Sequence, residues 1–207
     1  MHVENWGPKR RVTESVNALV SVAVQAGPQS AVAELLARFD DEIAAYDLAN
    51  MVPTDSNSMD DLLAVNWKSV RDVDNEGYHV RQAHPGLHQL YGDGYFDEPY
   101  ANGTSRSVGT FNEAYGHRWS VRKYRETWPE ADHLPLHQRR QWIYFGMFPN
   151  FVLGLYPDSV IFYQEVPQSA TQTVQRGMCY RRREESREMK AARYLSGRID
   201  RDTAEED

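Results

Sequence analysis

One cysteine, Cys179, is all that the 207 residues contain. Its solitude excludes an intramolecular disulfide and any iron-sulfur cluster held by several thiolates of this chain. Between Met178 and Tyr180, in a strand-like stretch, the thiol reads as a small core group and not as a nucleophile. Long apolar runs are also missing. The stretch from Asn150 to Tyr156 falls far short of the roughly 20 residues that span a bilayer, and the N-terminus has no apolar signal region. A soluble, cytoplasmic protein without a membrane partner is the expectation. Positive charge is in deficit, with 23 basic against 30 acidic side chains, which argues against nucleic acid as a partner. The basic runs Lys9-Arg10-Arg11 and Arg181-Arg182-Arg183 are short enough to be solvated faces.

What is present suits one domain with a substantial core. Residues before Ser15 are polar and broken by Gly7-Pro8, which predicts a loose end. Residues 16–24 are small and β-branched, and their type stays open. Ser30 is placed to cap a helix in which Val32, Leu35, Leu36 and Phe39 recur at helical spacing. The polar run Thr54 to Asp60 reads as a surface loop, Asn66 to Val70 as a strand end, and Asp72 to Val80 as a helix with an acidic first turn. Gly92 to Gly103 reads as a long excursion. Residues 106–111 and 117–124 are strand-like, residues 142–148 form a strongly aromatic run, and three strands are expected at 151–156, 160–166 and 171–181. The turns at Pro157-Asp158 and Pro167-Gln168 suggest an antiparallel meander. A helix over residues 184–196, stopped by Gly197, closes the pattern.

Glu76, His79 and His84 place a carboxylate and two imidazoles within a short segment. Two imidazoles and one carboxylate on one face of a metal, with open positions opposite, are what non-haem Fe(II) oxygenases use. Three residues apart, Glu76 and His79 would be neighbours on one helix face. On an unbroken helix His84 would point about 140° away from His79. Pro85 disfavours helical geometry at His84, and a break there lets that side chain swing back. His84 and His88 form a competing pair at four-residue spacing, but zinc enzymes of that pattern place a glutamate directly after the first histidine, and here Pro85 stands in that place. Taken alone, the residues also admit two histidines with no metal role.

Read together, Asn66-Trp67-Lys68, Asp72, Glu76-Gly77-Tyr78-His79 and His84-Pro85-Gly86-Leu87 resemble the catalytic-domain signature of the alpha subunits of Rieske-type aromatic ring-hydroxylating oxygenases. Phe148-Pro149-Asn150, followed by an apolar strand ending at Tyr156-Pro157-Asp158, is similar to another region of that family. The resemblance runs through residues 31–207 and is poor over residues 1–30. It implies a helix-grip α+β fold, a curved antiparallel sheet with helices around an apolar pocket, incomplete at the C-terminus. It further implies a mononuclear Fe(II) held by His79, His84 and a late-helix aspartate. Asp207 matches that aspartate, with Asp202 as rival and a solvated acidic tail as the plain alternative. Glu76 would be the electron relay; many members carry Asp there, and a branch with amine-oxidising monooxygenases carries Glu.

The family's partners are O₂, a small organic substrate and a reductase or ferredoxin, and its subunits form homotrimers. Its [2Fe-2S] cluster sits in an N-terminal domain that needs two cysteines, so the parent's electron source is expected outside this chain. The expectation is therefore a fragment of a longer subunit, not competent alone, whose parent hydroxylates or oxidatively demethylates its substrate. Trp142, Tyr144, Phe145, Phe148 and Phe162 are proposed to line the pocket, plain core packing being the other reading of each. The second functional hypothesis is a non-catalytic helix-grip protein that holds an apolar small molecule.

Overall fold

A computed structural model describes residues 10–16, 19–25, 32–114, 116–128 and 130–206. The chain divides into two units, residues 1–49 and 50–207. In the first, strands β1 (Arg10–Val16) and β2 (Leu19–Gln25) pair antiparallel, so the stretch of open type is one half of a hairpin. Helices α1 (Val32–Leu36) and α2 (Asp40–Ala44) follow, joined by a 3-10 turn, with Leu36, Phe39, Ile43 and Tyr46 buried. Ser30 lies outside the described residues.

The second unit is built on a seven-stranded antiparallel sheet. Its strands are β3 (Met51–Leu63), β4 (Tyr95–Pro99), β5 (Thr104–Thr110), β6 (Gln141–Met147), β7 (Phe151–Tyr156), β8 (Ser159–Ser169) and β9 (Gln172–Arg182). From β4 to β9 the strands form the expected meander, and β3 then adds beside β9 in the order β3-β9-β8-β7-β6-β5-β4. Residues 54–60 are therefore strand and not loop. Ser58 to Leu63 pair with Met178 to Thr173 after an irregularity that follows Pro53. Polar side chains and a proline are tolerated there because β3 is an edge strand.

Between β3 and β4 come α3 (Trp67–Asp74), α4 (Val80–Ala83) and α5 (Pro85–Tyr91). Asn66 is no strand end. Its Oδ1 accepts from the Lys68 N–H at 3.0 Å and caps α3, while its Nδ2 donates to the Ala170 carbonyl at 2.7 Å. Loss of such a cap costs about 1 kcal/mol, so Asn66→Ala should lower the urea-unfolding free energy by about that amount. The remaining helices are α6 (Trp119–Thr127) and α7 (Arg187–Ala204). Residues 119–124, expected as strand, are helical because Val121 and Tyr124 bury one face, and Lys123 pairs with Glu126 one turn along at 2.6 Å. The excursion 92–103 contains β4, paired to β5 as a hairpin.

Gly197 does not stop α7, which runs on to Ala204. A glycine inside a helix costs about 1 kcal/mol relative to alanine; burial of Ile199 just beyond it, at 1% exposure, offsets that. The core joins α5, α6 and α7 to one face of the sheet through Leu87, Leu90, Tyr124, Trp142, Leu195 and Ile199. Trp142 lies flat on Tyr156, with ring centroids 4.1 Å apart.

Candidate functional site

Helix α3 ends at Asp74, so Glu76 and His79 do not share a helix as expected. Instead the short loop after α3 folds Glu76 back. Its Oε2 accepts from the Tyr78 N–H at 2.8 Å, and its Oε1 lies 2.5 Å from His79 Nδ1. The loop passes so close to β4 that a side chain at Gly77 would collide with the Tyr95 ring, while the Gly77 N–H donates to Asp97 Oδ2 at 2.7 Å. His79 precedes α4 and His84 separates α4 from α5, with Pro85 as the first residue of α5. At φ −114° and ψ 75° His84 is out of helical geometry, as a following proline requires. This brings the two imidazoles together, His79 Nε2 lying 3.0 Å from His84 Nε2.

The hydrogen bonds fix what faces that gap. His84 Nδ1 lies 3.2 Å from Glu206 Oε2, so each ring has a carboxylate at its Nδ1. Where the carboxylates accept from Nδ1–H, each ring turns the lone pair of its Nε2 toward the gap. Two lone pairs 3.0 Å apart repel unless a cation lies between them. Two nitrogens on one divalent metal, each bonded at roughly 2.1 Å and at a right angle, stand about 3.0 Å apart. The carboxylate behind each histidine is the support that metal-binding imidazoles usually have. The residues present thus fit a mononuclear metal.

The third ligand is a separate matter. Among the described residues no third histidine, cysteine, aspartate or glutamate completes a metal-binding group, and Asp207 lies outside them. Asp202 turns to Arg118, its Oδ2 standing 4.0 Å from the guanidinium.

The five aromatic residues expected at a pocket do not converge. Cross-strand register puts Trp142 and Tyr144 on the helix-bearing face of the sheet and Phe145 and Phe162 on the opposite one. Trp142 is fully buried core, and Phe162 stacks between Phe151 and Tyr180. Phe148, in the turn after β6, is 70% exposed. Two open grooves, of about 690 and 820 Å³, are lined by none of the five.

Instead the helix-bearing face carries polar groups. A chain of hydroxyls runs Tyr91, Tyr144, Tyr156 in 3.2 Å steps and ends with Tyr156 donating to Asp200 Oδ1 at 3.0 Å. Burial pushes the Asp200 carboxyl up to about 8, against the Tyr156 hydrogen bond and with help from the charge of Asp158. Asp158 is raised by burial although Tyr124, Ser196 and Ser159 all donate to it. Asp74 is held well above the usual carboxylate range by burial and by the neighbouring Glu165, with Arg71 opposing. Tyr144 was among the pocket residues expected from the sequence, whereas Asp74, Glu165 and Asp200 carried no signal there.

Comparison with known proteins adds the lineage. The family model for the ring hydroxylating alpha subunit (catalytic domain) matches residues 40–207. The chain belongs to that family. No curated protein sequence matches this ring-hydroxylating domain. Among solved structures, the quaternary ammonium Rieske monooxygenase CntA, in complex with an inhibitor, is 16% identical. That match covers 93% of this chain and 48% of CntA, with a TM-score of 0.66. Naphthalene 1,2-dioxygenase from Rhodococcus sp., bound to indole, is 11% identical over 89% of this chain and 48% of its own, with a TM-score of 0.59. The chain therefore spans about half the length of these proteins and shares the fold of their catalytic domain, an antiparallel sheet with helices. Among the described residues no helix is long and apolar enough to cross a membrane.

Proposed function

We propose that this ring-hydroxylating alpha-subunit domain is the mononuclear iron part of an O₂-dependent oxygenase acting on a small organic substrate by hydroxylation or oxidative demethylation. The observation that carries the reading is the pair of Nε2 atoms 3.0 Å apart, each ring backed by a carboxylate at Nδ1. His79 and His84 would hold Fe(II), with Asp207 as the third ligand. Iron so held would leave coordination positions open at which dioxygen, the oxidant, could be activated for attack on the substrate.

The remaining tasks fall to this chain's own groups. Glu76 fixes the tautomer of His79 and is the acidic residue through which electrons from a partner's cluster would arrive. The [2Fe-2S] cluster, the reductase or ferredoxin that charges it, and a trimeric assembly belong to the proposal for the intact enzyme. Tyr144 and Tyr156 turn hydroxyls, not rings alone, toward the interior, so the substrate is expected to meet hydrogen-bonding groups there as well as aromatic surface.

Anaerobic titration with Fe(II) tests this. One equivalent should bind, and His79→Ala with His84→Ala should weaken binding by at least about 1000-fold, as loss of two of three ligands implies. Equal binding by that double variant overturns the assignment and leaves a helix-grip protein without a metal centre.

A further inference from the structure

The last turn of α7 holds an arrangement that the iron reading does not itself require. Glu206 stands beyond the C-terminal end of α7, its backbone N–H bonded to the Thr203 carbonyl at 3.0 Å. Past a helix end the hydrogen-bonded ladder stops, so side-chain contacts decide how firmly the backbone is held. Here both carboxylate oxygens are engaged. Oε2 faces Nδ1 of His84, which is only 2% exposed, and Oε1 accepts from the Arg118 guanidinium.

Arg118, just ahead of α6, is itself fixed from two sides. Its backbone N–H donates to Gln89 Oε1 at 2.8 Å, its stem passes over Gly86, and its other guanidinium nitrogen reaches Asp202. One arginine therefore joins α5, which begins beside His84, to the end of α7.

We infer that Glu206 is a positioning residue for the metal centre, clamped by Arg118, and that the clamp holds His84 in its ligating tautomer and the end of α7 beside it. The inference rests on the proposed metal centre at His79 and His84. Glu206 does for His84 what Glu76 does for His79, but from the far end of the chain. Charge-assisted hydrogen bonds of this kind are roughly twice as strong as neutral ones, and the Arg118 guanidinium keeps Glu206 aimed at His84.

The test uses the 207-residue chain and Co(II), whose visible absorption reports ligand number and geometry, with anaerobic Fe(II) titration in parallel. Glu206→Ala and Arg118→Ala should each weaken metal binding about 10- to 100-fold, the usual effect of removing a group that supports a ligand histidine. Both should also alter the Co(II) bands, with the thermal transition retained. Glu206→Gln, which keeps an oxygen for His84 but loses the charge that Arg118 grips, should fall between wild type and Glu206→Ala. A loss of general packing would not produce that order. Wild-type affinity and unchanged bands in all three variants overturn the clamp while leaving the metal centre standing. Absence of binding by the wild-type chain removes the metal centre and the clamp with it.

Discussion

Asp200→Asn is expected to make the protein more stable at alkaline pH and to flatten its stability between about pH 4 and 8. The carboxyl of Asp200 is enclosed beneath α7, against Tyr156, and burial raises it to about 8. A carboxyl raised on folding stabilises the folded state fully below its ordinary value. That contribution is lost as pH climbs, because the unfolded chain ionises freely and the folded chain resists. At about 1.4 kcal/mol per pKa unit, the loss across this window is at most about 6 kcal/mol, and water entry relieves part of it. Asparagine cannot ionise and still offers Tyr156 an acceptor. Urea unfolding of both proteins at pH 5, 7 and 9 measures the effect. Parallel curves would show that Asp200 ionises as freely in the folded protein as in the unfolded one.

Trp142→Ala should cost stability and not merely change substrate preference. The indole is fully buried, stacked on Tyr156, with Tyr91 and Tyr124 against its other sides, and its Nε1 donates to the Tyr124 hydroxyl at 3.0 Å. Truncating a buried Trp to Ala costs about 3–5 kcal/mol through lost burial and the cavity left behind. The Tyr124 hydroxyl also loses a donor, though it keeps its bond to Asp158 at 2.5 Å. Denaturant unfolding with intrinsic fluorescence reads the change. A variant as stable as wild type would mean that Trp142 faces an open pocket, as its place in an aromatic run suggested.

The ligand segment was the most legible part of the chain, and for a physical reason. A proline acts on the residue before it whatever the fold, so the break at His84 could be read without a structure. The meander was legible too, because turn residues punctuate it. Asn66 was misread because a cap and a strand end share a short polar residue followed by an aromatic one. The stretch 54–60 looks like a loop in every local respect, and only pairing with β9 makes it a strand. Phe145 and Phe162 seemed to belong with Trp142 until register fixed their faces. Glu206 and Arg118 carried no signal, since Glu206 stands 122 residues from the histidine it supports. The same holds for Asp200, whose carboxyl is raised by a burial that only the folded chain creates.

The position of β3 beside β9 has a consequence for how the molecule comes into being. Residues 51–63 leave the ribosome well before their partners at 173–182, which are made more than 100 residues later. Until then the edge strand has no template, and contacts of such long range close slowly because the intervening chain must first be ordered. The histidine pair waits likewise for Glu206. The segment holding the ligands is therefore synthesised well before the residue that supports His84, which makes premature metal capture by a half-made site an unfavourable event.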